Sequence, residues 1–242
     1  MGFFKITFNV IGNVSRVCIH NSGCNFHCIG CTYKIKAANI GANEHEKTLR
    51  KEEIFEALEA LKPNRVHFLG GEPTINPILK NIAMYAHEEL KAITKIGHSN
   101  GSERIPEFID EASVSIKTFD ETLHILYTGV SNTAVLHNFE DAYKRGIKLE
   151  ASTVLIPHMI PAPEIEQVAR FIADIDPNIP FHITSYIPVP GVPLLAPTSD
   201  ELKMAVIASQ KYLKRVESSR LRTVDLVKLR SSNPEFMSIR VA

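Results

Sequence analysis

Three cysteines lie together in one short segment of the chain. They are Cys24, Cys28 and Cys31, in the spacing Cys-x3-Cys-x2-Cys. Thiolates on one short loop can converge on a single metal centre. An ordinary four-iron cluster takes four cysteines, so three protein ligands would leave one iron open to a small molecule. An open coordination position is typical of a metal site that binds a substrate.

A zinc site is the alternative when this loop is considered alone. His20, His27 or Cys18 could supply a fourth ligand and complete a closed tetrahedral structural site. Cys18 falls in a predicted strand, where a buried cysteine that behaves as a small hydrophobic residue is the favoured interpretation. The chain has four cysteines, and three of them in one loop do not form the pattern of a disulfide framework. We therefore expect a reducing, cytoplasmic environment.

Length and charge narrow the class of protein. A chain of 242 residues suits one α/β domain with a sizeable core. Basic and acidic residues both number 27, so no overall basic field favours nucleic acid. The first residues lack the pattern of a signal peptide, and no run approaches the roughly 20 apolar residues of a membrane span. We expect neither a membrane nor a nucleic-acid partner.

Short apolar runs alternate with amphipathic stretches, which is typical of βα units and a parallel sheet. Strands are predicted over 16–20, 66–69, 92–98, 113–117, 147–157 and 181–185. Helices are predicted over 77–90, 106–110, 133–144, 163–175 and 199–216, with another that Thr48 caps and that ends at Pro63. Six such units are too few to close an eight-stranded barrel. In parallel sheets of this kind, ligands bind at the carboxyl ends of the strands.

A second motif follows the second predicted strand directly. It reads Gly70-Gly71-Glu72-Pro73. The two glycines allow a close backbone approach and a positive φ, and Pro73 starts the next turn. A carboxylate at a strand end, such as that of Glu72, can accept hydrogen bonds from an ammonium group. In isolation, a tight turn between strand and helix would explain the motif equally well.

The cysteine loop and this turn, one βα unit apart, resemble the radical S-adenosylmethionine (SAM) superfamily. In that family the fourth iron chelates SAM, and the Gly-Gly-Glu-Pro motif serves the methionine amino group. The resemblance implies a [4Fe-4S] cluster on Cys24, Cys28 and Cys31, with SAM as the second cofactor. It also implies an α/β fold with a mostly parallel sheet, in the form of a partial (βα)6 TIM-like barrel. We expect a single barrel domain over 1–217, with a C-terminal extension over 218–242 packed on it.

The middle of the chain resembles one subgroup, the glycyl-radical-enzyme activases typified by pyruvate formate-lyase activating enzyme. The matching positions are Asn100, Gly101, Lys117, His124 and Gly129. The chain departs from that pattern at four places. His98-Ser99 replaces Asp-Thr, Ser115 replaces an aspartate, and the arginine near Ser152 and the histidine near Ile187 are missing. The nearest histidine is His182, which could face the barrel interior or belong to the core.

The resemblance also implies the residues that hold SAM. These are Gly70, Gly71, Glu72, Pro73, Ser99, Asn100, Ser115, Lys117, Ser152 and Tyr33. Lys117 would reach the SAM carboxylate as a point-charge donor, and Phe26 or Tyr33 would shield the cluster or approach the adenine. No catalytic residue is implied beyond the cluster and SAM.

The expected reaction is the reductive cleavage of SAM to methionine and a 5′-deoxyadenosyl radical, which abstracts a hydrogen atom from a substrate. The subgroup implies a glycine of a partner protein as that substrate, and an electron donor such as flavodoxin or ferredoxin. Radical modification of another polypeptide, a nucleobase or a small metabolite is the alternative within the class. The alternative of another class is a non-catalytic zinc or iron–sulfur protein.

Overall fold

The computed structural model describes residues 2–33, 47–220 and 239–242. Its strands are β1 (Gly2–Ile11), β2 (Val14–Ser22), β3 (Arg65–Gly70), β4 (Ile93–Ser99), β5 (Glu111–Ser115), β6 (Lys148–Leu155), β7 (Phe181–Ser185), β8 (Val216–Ser219) and β9 (Ile239–Arg240). Its α-helices are α1 (Lys51–Leu61), α2 (Leu79–Glu88), α3 (Glu121–Thr128), α4 (Thr133–Lys144), α5 (Ala162–Ile175) and α6 (Ser199–Ser209). None of these helices is long and apolar enough to cross a membrane.

All nine strands form one sheet in the order β8-β7-β6-β5-β4-β3-β2-β1-β9. Each pair from β2 to β8 is parallel, whereas β1 runs antiparallel to β2 and to β9. The carboxyl ends of seven strands therefore lie at one edge of the sheet. The sheet is not closed, and the mostly parallel α/β architecture confirms the expected fold class as a partial barrel.

The two faces of the sheet differ in polarity. Along β6, the buried residues Leu149, Ala151 and Leu155 belong to the apolar core, which also contains residues of α5. The alternate residues Glu150 and Ser152 are only half-buried. Because successive side chains in a strand point to opposite faces, one face packs on the helices. The opposite face, here called the inner face, carries polar residues.

The six predicted strands correspond to β2 to β7, and the structure adds β1, β8 and β9. The helix predicted over 199–216 was wrong at its end, because α6 stops at Ser209 and Val216–Ser219 forms β8. Val216 pairs with Phe181 of β7, so this segment completes the sheet instead of the helix. The predicted domain boundary at 217 falls inside β8, and most of the predicted extension lies outside the described residues.

Two further local predictions were wrong. Residues 106–110 form turns instead of a helix, since Phe108 has a φ of 67°. The Thr94 hydroxyl donates to the Phe108 carbonyl at 2.5 Å, which ties this loop to β4. Helix α1 is capped at Arg50 and not at Thr48, and the Glu53 carboxylate accepts from the Arg50 amide at 2.7 Å.

Candidate functional site

The start of the cysteine loop is joined to the Gly-Gly-Glu-Pro turn by the backbone. The Gly71 amide donates to the Asn21 carbonyl at 3.0 Å, and the Glu72 amide donates to the Gly23 carbonyl at 2.9 Å. A Cβ on Gly71 would lie 1.9 Å from the Gly23 oxygen, and Gly70 has a φ of 117°. Both glycines are therefore required for the close approach and the positive φ that the sequence predicted.

Helix α3 holds the middle of the same loop. The His27 amide donates to the Thr128 carbonyl at 2.9 Å, and the Ile29 amide donates to the Tyr127 carbonyl at 3.0 Å. These carbonyls belong to the last turn of α3, where oxygens have no partner within the helix. Gly129 ends the helix in the left-handed conformation, with a φ of 87°. The loop between Cys24 and Cys31 is thus held by two separate elements of the fold.

The three cysteines of the loop are half-buried free thiols. Burial raises the pKa of Cys24 and of Cys28. The charge of Lys117 lowers the pKa of Cys28, while Cys31 and Cys24 raise it, so the three sulfur atoms act on one another. The side-chain amide of Asn100 lies 3.5 Å from the Cys24 sulfur as a donor.

The side chains around the loop bear on which metal centre it could hold. Among the described residues, no three Cys, His, Asp or Glu side chains are arranged to hold a metal ion. His20 lies 3.0 Å from the Thr7 hydroxyl on β1, and Cys18 lies on β2, where burial raises its pKa. Three neighbouring soft thiols suit an iron–sulfur cluster.

Glu72 lies at the centre of a buried hydrogen-bond network. Its side chain has no exposed surface. The carboxylate accepts from the Thr74 amide and hydroxyl at 3.1 and 2.7 Å, from the Ser99 hydroxyl at 3.0 Å and from the Asn100 amide at 2.5 Å. Burial raises the pKa of Glu72, and these donors oppose that rise. The carboxylate thus joins the end of β3, where Pro73 begins a short 3-10 turn, to the end of β4.

The end of β4 also contacts the cysteine loop. Asn100 donates to the Asn25 side chain at 2.8 Å and accepts from the Ser102 amide at 2.9 Å. The Ser99 hydroxyl accepts from the Gly101 amide at 2.9 Å while it donates to Glu72. Both side chains are buried. Their hydrogen bonds place them as supports of the loop.

Lys117 lies beside the loop, just beyond the end of β5. Its ammonium donates to the Ser115 hydroxyl at 2.6 Å, and Ser115 pairs in register with Ser152 of β6. The positive charge of Lys117 acts on both Cys28 and His98. The structure therefore brings Lys117, Ser115 and Ser152 together near the cysteines. Tyr33, at the end of the described loop segment, is 41% exposed.

Two histidines lie on the inner face. The ring of His182 is 2.9 Å from the Ser219 hydroxyl of β8 and is half-buried, so this residue faces the interior and not the apolar core. The side chain of His98, at the end of β4, is exposed to solvent on one side and has protein groups around the rest of its ring. Desolvation by those groups, followed by the charges of Lys117 and Lys95, lowers the pKa of His98.

A charged pair that the sequence analysis missed lies deeper on this face. Lys95 of β4 donates to Glu150 of β6 at 2.8 Å, and the Ser113 hydroxyl donates to Glu150 at 2.7 Å. This pair could have been predicted from the sequence, because charged residues alternate with apolar ones in the two predicted strands that contain it. Neighbouring His67 is half-buried. Burial and then the charges of Arg16, Arg65 and Lys95 lower its pKa to about 3.

Comparisons with known proteins show the family to which this chain belongs. The family model of the radical SAM superfamily matches residues 18–174. A protein of Methanocaldococcus jannaschii, named as a candidate glycyl-radical enzyme activating enzyme, is 27% identical over 84% of this chain and 80% of its own length. A second protein of that organism with the same description is 26% identical over 64% of this chain and 67% of its own.

Solved structures share the fold. Streptococcus suis SuiB bound to S-adenosylmethionine superposes with a TM-score of 0.63 at 20% identity over 88% of this chain, and that match spans 50% of SuiB. A domain of pyruvate-formate lyase-activating enzyme from Bacteroides vulgatus gives a TM-score of 0.52 at 19% identity over 64% of this chain and 98% of that domain. The family match covers more than half of the sequence, from the strand before the cysteine loop to the end of α5. The chain is therefore an enzyme of the radical SAM superfamily, whose cofactors are a [4Fe-4S] cluster and SAM.

Proposed function

We propose that this enzyme cleaves SAM reductively at a [4Fe-4S] cluster held by Cys24, Cys28 and Cys31. The observation that carries the proposal is the double support of the cysteine loop. The turn after β3 holds its beginning, and the end of α3 holds its middle. When bound, the cluster supplies one electron that breaks a carbon–sulfur bond of SAM, giving methionine and a 5′-deoxyadenosyl radical. The protein contributes position and exclusion of water.

The predicted SAM residues divide into two groups by their surroundings. Lys117 is half-buried, and among the described residues its ammonium donates to the Ser115 hydroxyl, which supports a role for this ammonium in binding the SAM carboxylate. Ser115 and Ser152 add hydroxyls beside it. Glu72 and Ser99 use their side chains inside the protein. They act on SAM by holding the turn at Gly70, Gly71 and Pro73, while Asn100 supports the cysteine loop and Tyr33 is assigned to the adenine side.

The substrate we propose is a glycine residue of a partner polypeptide. The support is the resemblance to two relatives that are named as glycyl-radical enzyme activating enzymes. The radical would take one hydrogen atom from the glycine Cα, giving 5′-deoxyadenosine and a glycyl radical. The electron would come from a small redox protein such as flavodoxin or ferredoxin.

A small polar metabolite is the second candidate substrate. It is favoured by the inner face, where Lys95, Glu150 and His182 present charged or hydrogen-bonding groups below the cysteine loop. A peptide that only touches the rim would not need these groups. Buried polar groups that hydrogen-bond a ligand are a common basis of specificity.

The test begins with anaerobic purification and analysis of iron, sulfide and zinc. Iron and sulfide in equal amounts, followed by formation of 5′-deoxyadenosine and methionine with dithionite and SAM, are expected. Zinc without sulfide would overturn the proposed function.

The substrate is then identified by isotope. A candidate glycyl-radical enzyme labelled with Cα-deuterated glycine is expected to transfer deuterium to 5′-deoxyadenosine and to show a glycyl radical by electron paramagnetic resonance. Deuterium taken instead from a labelled metabolite extract would support the second candidate.

A further inference from the structure

Tyr127 is a buried tyrosine in the last turn of α3. It is 3% exposed. Its backbone carbonyl accepts from the Ile29 amide, but its side-chain hydroxyl has no hydrogen-bond partner within the part of the chain that the structure describes. Among the described residues, the His124 Nε2 is the fully enclosed side-chain atom that lacks a partner, and the Tyr127 hydroxyl is not enclosed in that way. The hydroxyl therefore lies at the edge of the buried ring, where a group other than the described protein residues can reach it.

The ring of Tyr127 lies against the turn between two of the cysteines. A Cβ on Gly30 would be 3.1 Å from the Tyr127 hydroxyl and 2.6 Å from Cε2 of Tyr186. Gly30 lies between Cys28 and Cys31 in the sequence. The two tyrosines thus leave no room for a side chain at this point, and the Tyr127 hydroxyl faces the cysteine loop.

The phenol is suited to donate a hydrogen bond there. A phenol keeps its proton at neutral pH, because the ordinary pKa of tyrosine is about 10. Cys28 and Cys31, the proposed ligands on either side of Gly30 in the sequence, supply sulfur atoms on this side of the loop. The Tyr186 hydroxyl differs in that its oxygen accepts from the Val189 amide at 3.1 Å.

We propose that the Tyr127 hydroxyl donates a hydrogen bond to a sulfur of the [4Fe-4S] cluster on the Cys28 and Cys31 side, and that this bond raises the reduction potential of the cluster. The inference rests on the proposed function, because it requires the cluster. Reduction adds one negative charge to the cluster, and a donor at its sulfur stabilises the reduced state more than the oxidised state. Hydrogen bonds to the sulfurs are among the factors that set such potentials. Tyr127 is thus a positioning residue that tunes the cluster without touching the substrate.

The test uses Tyr127→Phe, which removes only the oxygen. Iron and sulfide content should remain that of the native enzyme. In a redox titration followed by electron paramagnetic resonance, the ratio of reduced to oxidised cluster at a given applied potential should fall about tenfold, which is about 59 mV for a one-electron couple. After exchange into D2O, the deuteron coupled to the reduced native cluster should be missing from the variant.

Tyr143→Phe is the matched control. It removes a tyrosine hydroxyl that donates to Asp176 at 3.0 Å on the exposed surface, and it should leave the potential unchanged. If Tyr127→Phe fails to assemble a cluster, Tyr127→Leu offers a second variant without a donor for the same titration.

Two outcomes separate this inference from the proposed function. If the variants assemble a cluster with the native potential and the native deuteron coupling, the role of Tyr127 is overturned and the proposed function stands. Native protein that takes up zinc without sulfide would overturn both.

Discussion

Replacing Glu72 with glutamine distinguishes two roles for a residue that the family motif assigns to SAM. Three of the four hydrogen bonds reach one carboxylate oxygen, and the Asn100 amide reaches the other. Glutamine can keep its oxygen at the first position, but its NH2 group would then face the Asn100 N–H. One charge-assisted bond is lost and two donors oppose each other in a site with no exposed surface. Flipping the amide would sacrifice three bonds instead of one.

The expected cost follows from these contacts. A hydrogen bond to a charged group contributes about 1.5–3 kcal/mol, and an unsatisfied buried donor costs about 1–3 kcal/mol. The lost bond and the opposed donors arise at the same contact, so their costs do not add in full. Glu72→Gln should therefore lower the free energy of unfolding by about 2–4 kcal/mol. Urea denaturation of the metal-free protein measures this change without involving SAM. The affinity for SAM is measured by equilibrium dialysis on the reconstituted enzyme. It should fall less than tenfold, because Glu72 affects SAM only through the position of the cysteine loop.

Glu140→Gln is the control, because Glu140 pairs with Lys144 on an exposed helix surface at 3.3 Å. Its effect on the free energy of unfolding should be below about 0.5 kcal/mol. The reasoning would be refuted if Glu72→Gln unfolded like the native protein while its SAM affinity fell more than tenfold. Glu72 would then be a direct ligand, as the motif suggests.

Three further predictions follow from the same geometry. Cys28→Ala should abolish cluster assembly, measured as iron and sulfide content, whereas Cys18→Ala should leave it intact; loss in both would show that the ligand set is wrong. Gly71→Ala should also reduce iron content, because its Cβ would meet a backbone oxygen at 1.9 Å, while Gly12→Ala, with nothing within 4 Å, should lower only stability. Lowering the pH from 7 to 4 should destabilise the native protein by about 2–3 kcal/mol through His67, since its pKa of about 3 in the fold lies below about 6.5 in the unfolded chain, which therefore binds the proton first. His67→Gln should flatten this acid limb in urea denaturation, and an unchanged limb would contradict the assignment.

The strands that position the site were accessible from local pattern, and those at the edges of the sheet were not. β2 to β7 have apolar runs bounded by turn residues, so periodicity was enough to locate them. The helix predicted over 199–216 extends to the first residue of β8, because residues 210–216 contain no proline or glycine that would end a helix. Pairing of Val216 with Phe181 decides its conformation, and such pairing is a property of the sheet and not of the segment.

The candidate site likewise has parts that local sequence predicted and parts that depend on packing between distant segments. The spacing of Cys24, Cys28 and Cys31 and the Gly-Gly-Glu-Pro turn were sufficient to indicate an open iron–sulfur site. The role of Tyr127 was invisible in the sequence, because a tyrosine at that helical position could equally face solvent or core. Only the packing of α3 against the loop brings its hydroxyl to the cysteines.

The sequence alone determined the chemistry that this protein can support, since residue types and short spacings decide which metal centre and which cofactor can be held. The tertiary structure decided how each residue serves that chemistry. It buried the Glu72 carboxylate among the donors of Thr74, Ser99 and Asn100, left the Lys117 ammonium beside the Ser115 hydroxyl, and turned His182 toward the inner face. The physical reason is that hydrogen-bond satisfaction and burial depend on contacts between segments far apart in the chain, which a local pattern does not specify.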